Sequence, residues 1–412
     1  MKIGVLTHNY PRFRGDFSGR FVEALSEELV TQGHQVTVLA PWDPAYARTP
    51  SDHRVDLKLY RYAPRSTWHR LGYMRSMRAD VALRGINYLL APGLFAAGSR
   101  AIMQWAARDR PDVLHAHWAL PNGFMATWAA RRFGIPLVVS IPGSDATVAA
   151  RNPVFRWMAR VTFDRAGLIT ANAESLRDVA VHELGADPNK FELIAYGVDP
   201  DALKPDPAGV DDVRAQLAIP GDAVVLLAVG RMVYKKGFDL LLRAAAALRG
   251  SRPDSPPIHL VMVGSGDLWN EWQALGRQLN LGTSVHWVGN VPTDRMSTFY
   301  NLADIAVMPA ANRPPTGLAV SVLDAMCCAK PVVGSDAAGN RLAIRDGING
   351  FVVPEGDVAA LAAAIGSLVD DPSLRSRMGA ASRHLIDTEL GWPQLAARYV
   401  AHFERLSRER RS

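Results

Sequence analysis

The chain predicts an α/β protein built from two doubly wound parallel sheets, and three observations carry that expectation. Short Val-, Leu- and Ile-rich runs alternate with longer amphipathic stretches over most of the 412 residues, the pattern of parallel strands joined by helices. The length exceeds what a single core ordinarily supports, so two domains are expected. The alternation breaks once, at the Pro-, Asp- and Gly-rich stretch 196–221, YGVDPDALKPDPAGVDDVRAQLAIPG, and then resumes. That stretch reads as an interdomain linker.

In chain order, KIGVLTH opens as a strand. From Ser18 to Gln32, Phe21, Leu25, Leu29 and Val30 recur at helical spacing, and Gly33 ends the helix. QVTVLAP is the next strand; DVLHAHW, PLVVSIPGSD and GLITANAES follow, each after a helical segment. Beyond the linker, VVLLAVG, HLVMVGSG, VHWVGN, IAVMPA, PVVGS and GFVVP form a second set, and Trp392 to Arg408 is a final helix. The expected division is 1–203, 204–388 and a C-terminal segment 389–412. Ligands of such sheets bind beyond the carboxyl ends of the strands. The exits to examine are therefore Asn9–Gly19, His117, Pro142–Asp145 and Asn172–Ser175.

Composition narrows the class. Hydrophobic residues make up 48% and charged residues 21%, which fits a soluble globular chain rather than a disordered or membrane-spanning one. No run of eighteen apolar residues occurs, and MKIGVLTHNYP lacks the pattern of a signal peptide, so a cytoplasmic protein is expected. The net charge of +6 suits anionic ligands: nucleotide phosphates, lipid headgroups or nucleic acid. Cys327 and Cys328 are adjacent on a predicted helix and read as small packing residues. No Cys/His spacing suggests a metal.

Two segments carry the chemistry. Thr316–Asp357 begins with a loop whose amides are exposed at a helix N-terminus, and Asp324 lies eight residues after Thr316. About eighty residues upstream, Arg231 and Lys236 in VLLAVGRMVYKKG follow a buried strand and suit a diphosphate. Together these segments resemble the family 4 retaining glycosyltransferases. The family pattern G-R-x4-K-G is met by Gly230, Arg231, Lys236 and Gly237. The pattern E-G-[FL]-x5-E-A-M-x-x-G-x-P-V-V-x-[ST]-D is met at Gly317, Leu318, Ala325, Met326, Pro331, Val332, Val333, Ser335 and Asp336. The D-G-x-N-G pattern is met at Asp346, Gly347, Asn349 and Gly350, and continues to Pro354, Gly356 and Asp357.

The resemblance implies the GT-B fold: two Rossmann-like domains facing a cleft, with a C-terminal helix crossing back to the first domain. It implies retaining, metal-independent transfer of a sugar from a nucleoside-diphosphate donor, bound by the second domain, to a hydroxyl acceptor bound by the first. The acceptor would be a lipid-linked or cell-envelope glycan, another glycoconjugate or a small molecule. Arg231 and Lys236 would hold the diphosphate and stabilise the leaving group. Asp324, a Glu in the family, would accept from the ribose hydroxyls. Thr316 stands where the family usually has Glu, leaving the amides of Gly317, Leu318 and Ala319 to grip sugar or phosphate. His117, ending DVLHAH, would face the transferred sugar, with His115 structural. Gly19 in the first strand-to-helix loop would meet donor phosphate or acceptor, and Arg20 and Asp145 are acceptor or phosphate candidates, with Arg12 and Arg14 adding positive charge. Pro142 and Leu342 are two further departures, replacing a family His and Glu on the donor side.

The stretch Arg61–Arg110 interleaves arginines with aromatic and aliphatic residues. It reads equally as an exposed helix pair or as a segment lying on an anionic membrane surface, giving a peripheral protein. Nucleic-acid binding is not expected, because no recognised module motif appears. The competing readings are a catalytically degenerate scaffold partnering an active transferase, and a nucleotide-sugar epimerase.

Overall fold

A computed structural model describes residues 1–16, 18–73, 77–78, 82–83, 85–251 and 255–411. Two compact units emerge. Unit 1 comprises Met1–Ile194 with Trp392–Ser412, and unit 2 comprises Ala195–Gly391.

In unit 1 the strands are β1 (Lys2–Leu6), β2 (Gln35–Pro41), β3 (Asp56–Tyr60), a two-residue antiparallel pair β4 (Met77–Arg78) and β5 (Ala82–Leu83), then β6 (Val113–His117), β7 (Leu137–Ile141), β8 (Leu168–Ala171) and β9 (Phe191–Leu193). Apart from the short pair they form one parallel sheet in the order β3-β2-β1-β6-β7-β8-β9. Helices cover both faces, which is why β6 and β7 are buried throughout and read as unbroken apolar runs. The order reverses at β1, between β2 and β6, so the ligand crevice expected of this topology opens beyond Leu6 and His117.

Helix Arg20–Thr31 starts after Gly19, which holds φ 75° because a side chain there would strike the Asn9 carbonyl oxygen at 2.2 Å. Helix Pro153–Arg165 begins with Pro in its first turn, capped by Asn152, whose Oδ1 accepts from the amides of Val154 and Phe155. Helix Trp392–Arg411 buries Leu395, Tyr399, Phe403 and Leu406 against the same core as β1 and β2. A buried polar chain ties it to the sheet: His115 Nε2 to Ser140 Oγ at 2.8 Å, Ser140 to Thr170 Oγ1 at 2.7 Å, and Thr170 to the Tyr399 hydroxyl at 3.2 Å.

In unit 2, β10 (Val224–Val229), β11 (Ile258–Val263), β12 (Val285–Gly289), β13 (Ile305–Met308), β14 (Val332–Ser335) and β15 (Gly350–Val353) form a second parallel sheet, ordered β12-β11-β10-β13-β14-β15. Its reversal lies at β10, between β11 and β13.

The stretch 196–221 is not a bare connector. It belongs to unit 2 and contains helix Val210–Gln216, with Val213 and Ile219 buried in that core. The Pro and Asp residues masked the apolar spacing of Val210, Val213 and Leu217, which anchors the segment to unit 2.

Candidate active site

The carboxyl end of β10 carries both predicted cations. After Val229 the chain turns at Gly230, and Arg231 emerges exposed while Lys236 is half-buried. Lys236 sits in a one-turn helix, Tyr234–Lys236, closed by Gly237 at φ 62°. Any side chain at position 237 would meet the Pro309 carbonyl oxygen at 1.9 Å, so this turn presses against the exit of β13. The Ala311 amide donates to the Lys235 carbonyl across the same seam at 3.0 Å. Desolvation, reinforced by the like charges of Lys235 and Arg231, pushes the Lys236 ammonium down to about 8. No carboxylate of the described residues pairs with Lys236. An uncompensated cation held in a turn at a switch point is poised for an anion.

The second predicted segment converges on the same place. Helix Val320–Cys327 follows Ala319, and Ser321 Oγ donates to the Val229 carbonyl at 3.1 Å, docking its first turn against the end of β10. The amides of Gly317, Leu318 and Ala319 precede that helix and have no backbone partner among the described residues. Thr316 is half-buried. Asp324, also half-buried, accepts from the Tyr300 hydroxyl at 3.0 Å, and Tyr300 is pushed well above its ordinary value by burial and by that carboxylate. Cys327 and Cys328 are buried and free, the Cys328 thiol being pushed up to about 12 by desolvation.

A pocket of about 430 Å³ opens beside Arg231, lined by Gly230, Gly264, Ser265, Gly266, Asp267 and Asn290 among others. That volume suits a nucleotide-sized ligand. The GSGD turn after β11 shapes it: a Cβ on Gly264 would meet the Gly230 carbonyl oxygen at 2.0 Å, and one on Gly266 the Met232 carbonyl oxygen at 2.5 Å. The sequence reading missed this wall, although two glycines at a strand exit were the available signal. Gly264→Ala, at φ 123°, is expected to lower stability by about 1–3 kcal/mol and to weaken whatever occupies the pocket, as melting with and without ligand would show.

In unit 1 the reversal at β1 gathers Gly19, Arg20 and His117. Phe21, next to Arg20, lies 5.8 Å from the His117 ring and 5.5 Å from Trp118, centroid to centroid. His117 is 2% exposed, and neither ring nitrogen has a hydrogen-bond partner among the described residues. Burial and the neighbouring His115 hold it well below the ordinary histidine value, so it is a neutral imidazole with an unused donor and an unused acceptor. His8 lies nearby, pushed down to about 4 by burial, its Nδ1 within 2.9 Å of Asn122 Nδ2. Two strands along, Asn172 is buried, and its amide oxygen and nitrogen have no hydrogen-bond partner among the described residues. The sequence reading marked this exit but did not single out Asn172.

Arg20 is exposed and has no charge partner among the described residues. Arg12 corrects the expectation: its guanidinium is bound to Asp16 at 2.6 Å, lies 3.6 Å from Asp43 and stacks over Tyr73, so its charge is already spent within the fold. Arg14 pairs with Asp52 at 3.1 Å. The Asp145 backbone belongs to helix Ser144–Arg151, and its side chain lies outside the described residues.

Comparison with known proteins identifies the scaffold. Residues 210–385 match the family described as glycosyl transferases group 1, and residues 18–202 match glycosyltransferase family 4. The chain belongs to the family 4 glycosyltransferases. This glycosyltransferase is 31% identical over 324 residues to the D-inositol 3-phosphate glycosyltransferase of Streptomyces scabiei, covering 74% of this chain and 71% of the relative. It is 32% identical over 326 residues to the enzyme of the same name from Thermomonospora curvata, covering 74% of each. Among solved structures, Anabaena HepE in complex with UDP aligns with a TM-score of 0.72 at 18% identity, over 98% of this chain and 100% of that one. Sucrose-phosphate synthase from Thermosynechococcus elongatus aligns at 0.71 with 19% identity, over 98% of both. The fold is GT-B, with two Rossmann-like domains, and the protein is an enzyme that transfers sugar from a nucleotide-sugar donor.

Several residues of the glycosyltransferase motifs have structural partners. Asn349 is buried, accepting from the Arg345 amide at 2.7 Å and donating to the Ala343 carbonyl at 3.2 Å, while Asp346 accepts from the Val352 amide at 3.0 Å. Both build the turn into β15. In the segment lacking the family acid, Leu342 packs against the core, and Asn340 bonds the carbonyls of Met308 and Ser335 at 3.2 and 2.9 Å. Arg341 pairs with Asp336 through both carboxylate oxygens. Pro142 is half-buried at the exit of β7.

Proposed function

We propose that unit 2 binds the donor through its diphosphate, held by Arg231 and Lys236, and that unit 1 binds the hydroxyl acceptor. The observation carrying this reading is Lys236: a half-buried ammonium without a carboxylate partner among the described residues, at the switch point, in a turn whose Gly237 abuts Pro309 in the loop that precedes helix Val320–Cys327. Asp324 accepts from the ribose hydroxyls, and the amides of Gly317, Leu318 and Ala319, with Thr316, contact the donor sugar or phosphate. As the sugar departs, charge grows on the diphosphate, where fixed cations stabilise the transition state more than the ground state. Arg231 and Lys236 supply that charge without a divalent metal. Transfer proceeds with retention, the leaving phosphate taking up the acceptor proton on the same face of the sugar.

His117 hydrogen-bonds the transferred sugar or the acceptor as a neutral imidazole. Gly19 lets the chain turn tightly in the first strand-to-helix loop, which meets donor phosphate or acceptor, and Arg20 and Asp145 engage the acceptor. The two curated relatives are named for D-inositol 3-phosphate. A phosphorylated polyol or a phosphate-linked glycan fits an unpaired Arg20 at a helix N-terminus. The enzyme works in the cytoplasm, at the inner membrane face when its acceptor is lipid-linked, and takes no nucleic acid. No helix of the described residues is long and apolar enough to cross a membrane. The basic stretch Arg61–Arg110 lies partly outside the described residues.

A melting panel with UDP, GDP, ADP, CDP and TDP, each with and without Mg²⁺, tests the donor half. One nucleotide at about 100 times its dissociation constant is expected to stabilise by about 2.7 kcal/mol, equally with and without metal. A response that needs Mg²⁺ would remove the two-cation account, and no response to any nucleotide would remove the donor assignment.

A further inference from the structure

Away from both strand exits, helices Gly85–Asp109, Phe124–Phe133 and Pro153–Arg165 pack side by side on one face of the unit 1 sheet. Their inner residues, among them Met125, Ala126, Ala130, Ala159 and Phe163, belong to the core. Their outer side is unusual for a solvated helix layer. Trp128 is 42% exposed, Trp157 56% and Val154 61%. The Phe124 ring lies 5.8 Å from Trp128, 5.7 Å from Trp157 and 5.9 Å from Phe95, so four rings from three helices make one continuous aromatic patch. A single exposed Trp needs no explanation, but a contiguous patch marks an interaction surface.

The charge around the patch says what it meets. Arg131 and Arg132, on the helix of Trp128, and Arg156 and Arg160, on the helix of Trp157, are exposed, and none pairs with a carboxylate among the described residues; Arg156 and Arg160 donate to the Ala150 and Leu184 carbonyls. The Arg131 guanidinium lies 5.9 Å from the Trp128 ring centroid. The one acid on helices Phe124–Phe133 and Pro153–Arg165 is Asp164, in the last turn of the second. A two-fold interface between copies would set this patch against itself, arginine facing arginine with no acids to pair them. An anionic bilayer satisfies both features: Trp rings sit at headgroup depth, and guanidinium groups pair with lipid phosphates.

We propose that this aromatic, arginine-rimmed face docks the enzyme on an anionic lipid bilayer, with Trp128 and Trp157 entering the headgroup layer. The inference goes beyond sugar transfer and does not depend on the donor assignment. Each arginine near an anionic surface strengthens partition by roughly fivefold, so the effect is salt-sensitive.

The test uses the full chain with vesicles of phosphatidylcholine alone and of phosphatidylcholine with about 30% phosphatidylglycerol, which gives the surface potential that attracts arginine. Wild type is expected to cosediment only with the anionic vesicles, with a blue shift of tryptophan emission. The double variant Trp128→Ser, Trp157→Ser is expected to lose at least tenfold in partition, with its melting temperature and nucleotide response kept. If that variant does not fold, Arg131→Gln with Arg132→Gln is expected to weaken binding and flatten its salt dependence. Recovery of wild type in the supernatant would overturn the proposal. So would equal partition of wild type and the tryptophan variant, or a wild-type dimer that the tryptophan variant converts to monomer.

Discussion

Lys236→Met is expected to slow sugar transfer severely while making the free protein harder to melt. The loss arises at the leaving diphosphate. Removing one fixed charge from a developing anion typically costs 10²–10³ in rate, and this ammonium is partly withdrawn from water, where its field is poorly screened. A fall of about a thousandfold in kcat/KM is therefore expected, together with loss of the nucleotide melting shift. The gain in stability has the opposite origin. The ammonium is half-buried and unpaired, with Arg231 and Lys235 nearby, so the empty enzyme carries it at a cost. Methionine keeps the length and removes the charge, and a rise of about 2–4 °C corresponds to roughly 1 kcal/mol recovered.

The pH dependence follows with a definite sign. The folded value, about 8, lies below the ordinary 10.5, so between these limits the unfolded chain holds more protons and wild-type stability rises with pH. Donor affinity needs the protonated form. It is expected to be flat below about pH 8 and to fall up to tenfold per pH unit above it, with proton uptake on binding measurable by calorimetry in two buffers. Unchanged nucleotide affinity in Lys236→Met, or a lower melting temperature, would sink the diphosphate assignment.

How much of this was legible beforehand depends on what each residue answers to. The strands of both sheets were readable because a parallel strand buried on both faces must be apolar throughout, as in VVLLAV and LVVSI. Arg231, Lys236 and Asp324 could be named as candidates because the residues around them match the family pattern beside such strands. The convergence of their two segments was not, since it rests on Ser321 reaching the Val229 carbonyl and Gly237 abutting Pro309, contacts between positions about seventy to ninety residues apart. Arg12 was misread for the same reason: Asp16 is four residues away, but Asp43 and Tyr73 complete its neutralisation from other loops. The 196–221 stretch was misread because its composition of Pro and Asp outweighed three apolar residues at helical spacing. The patch around Phe124 was invisible because helical periodicity shows which residues point outward but not that three helices bring their outward rings together.

His117→Leu separates transfer from donor binding within the other unit. The imidazole is almost wholly enclosed, its two nitrogens have no partner among the described residues, and it is flanked by the rings of Phe21, Trp118 and His115. An unsatisfied buried polar group costs about 1–3 kcal/mol, so a residue kept only for packing would be better as leucine. The variant is expected to melt several degrees higher, to keep the nucleotide shift generated in unit 2, and to lose about a hundredfold in kcat, because the hydrogen bond to sugar or acceptor is gone. A distinctive acid signature follows. His117 is held well below 6.5, and His8 and His115 are pushed down to about 4 and about 3, all by burial. Each contributes stability that is present above about pH 6.5 and lost as pH falls towards its folded value, by up to about 1.4 kcal/mol per pH unit. Removing His117 should make the decline below pH 6.5 shallower than in wild type, read from urea melts between pH 4 and pH 7. A variant that melts lower than wild type, or keeps full kcat, would return His117 to the role of a packing residue.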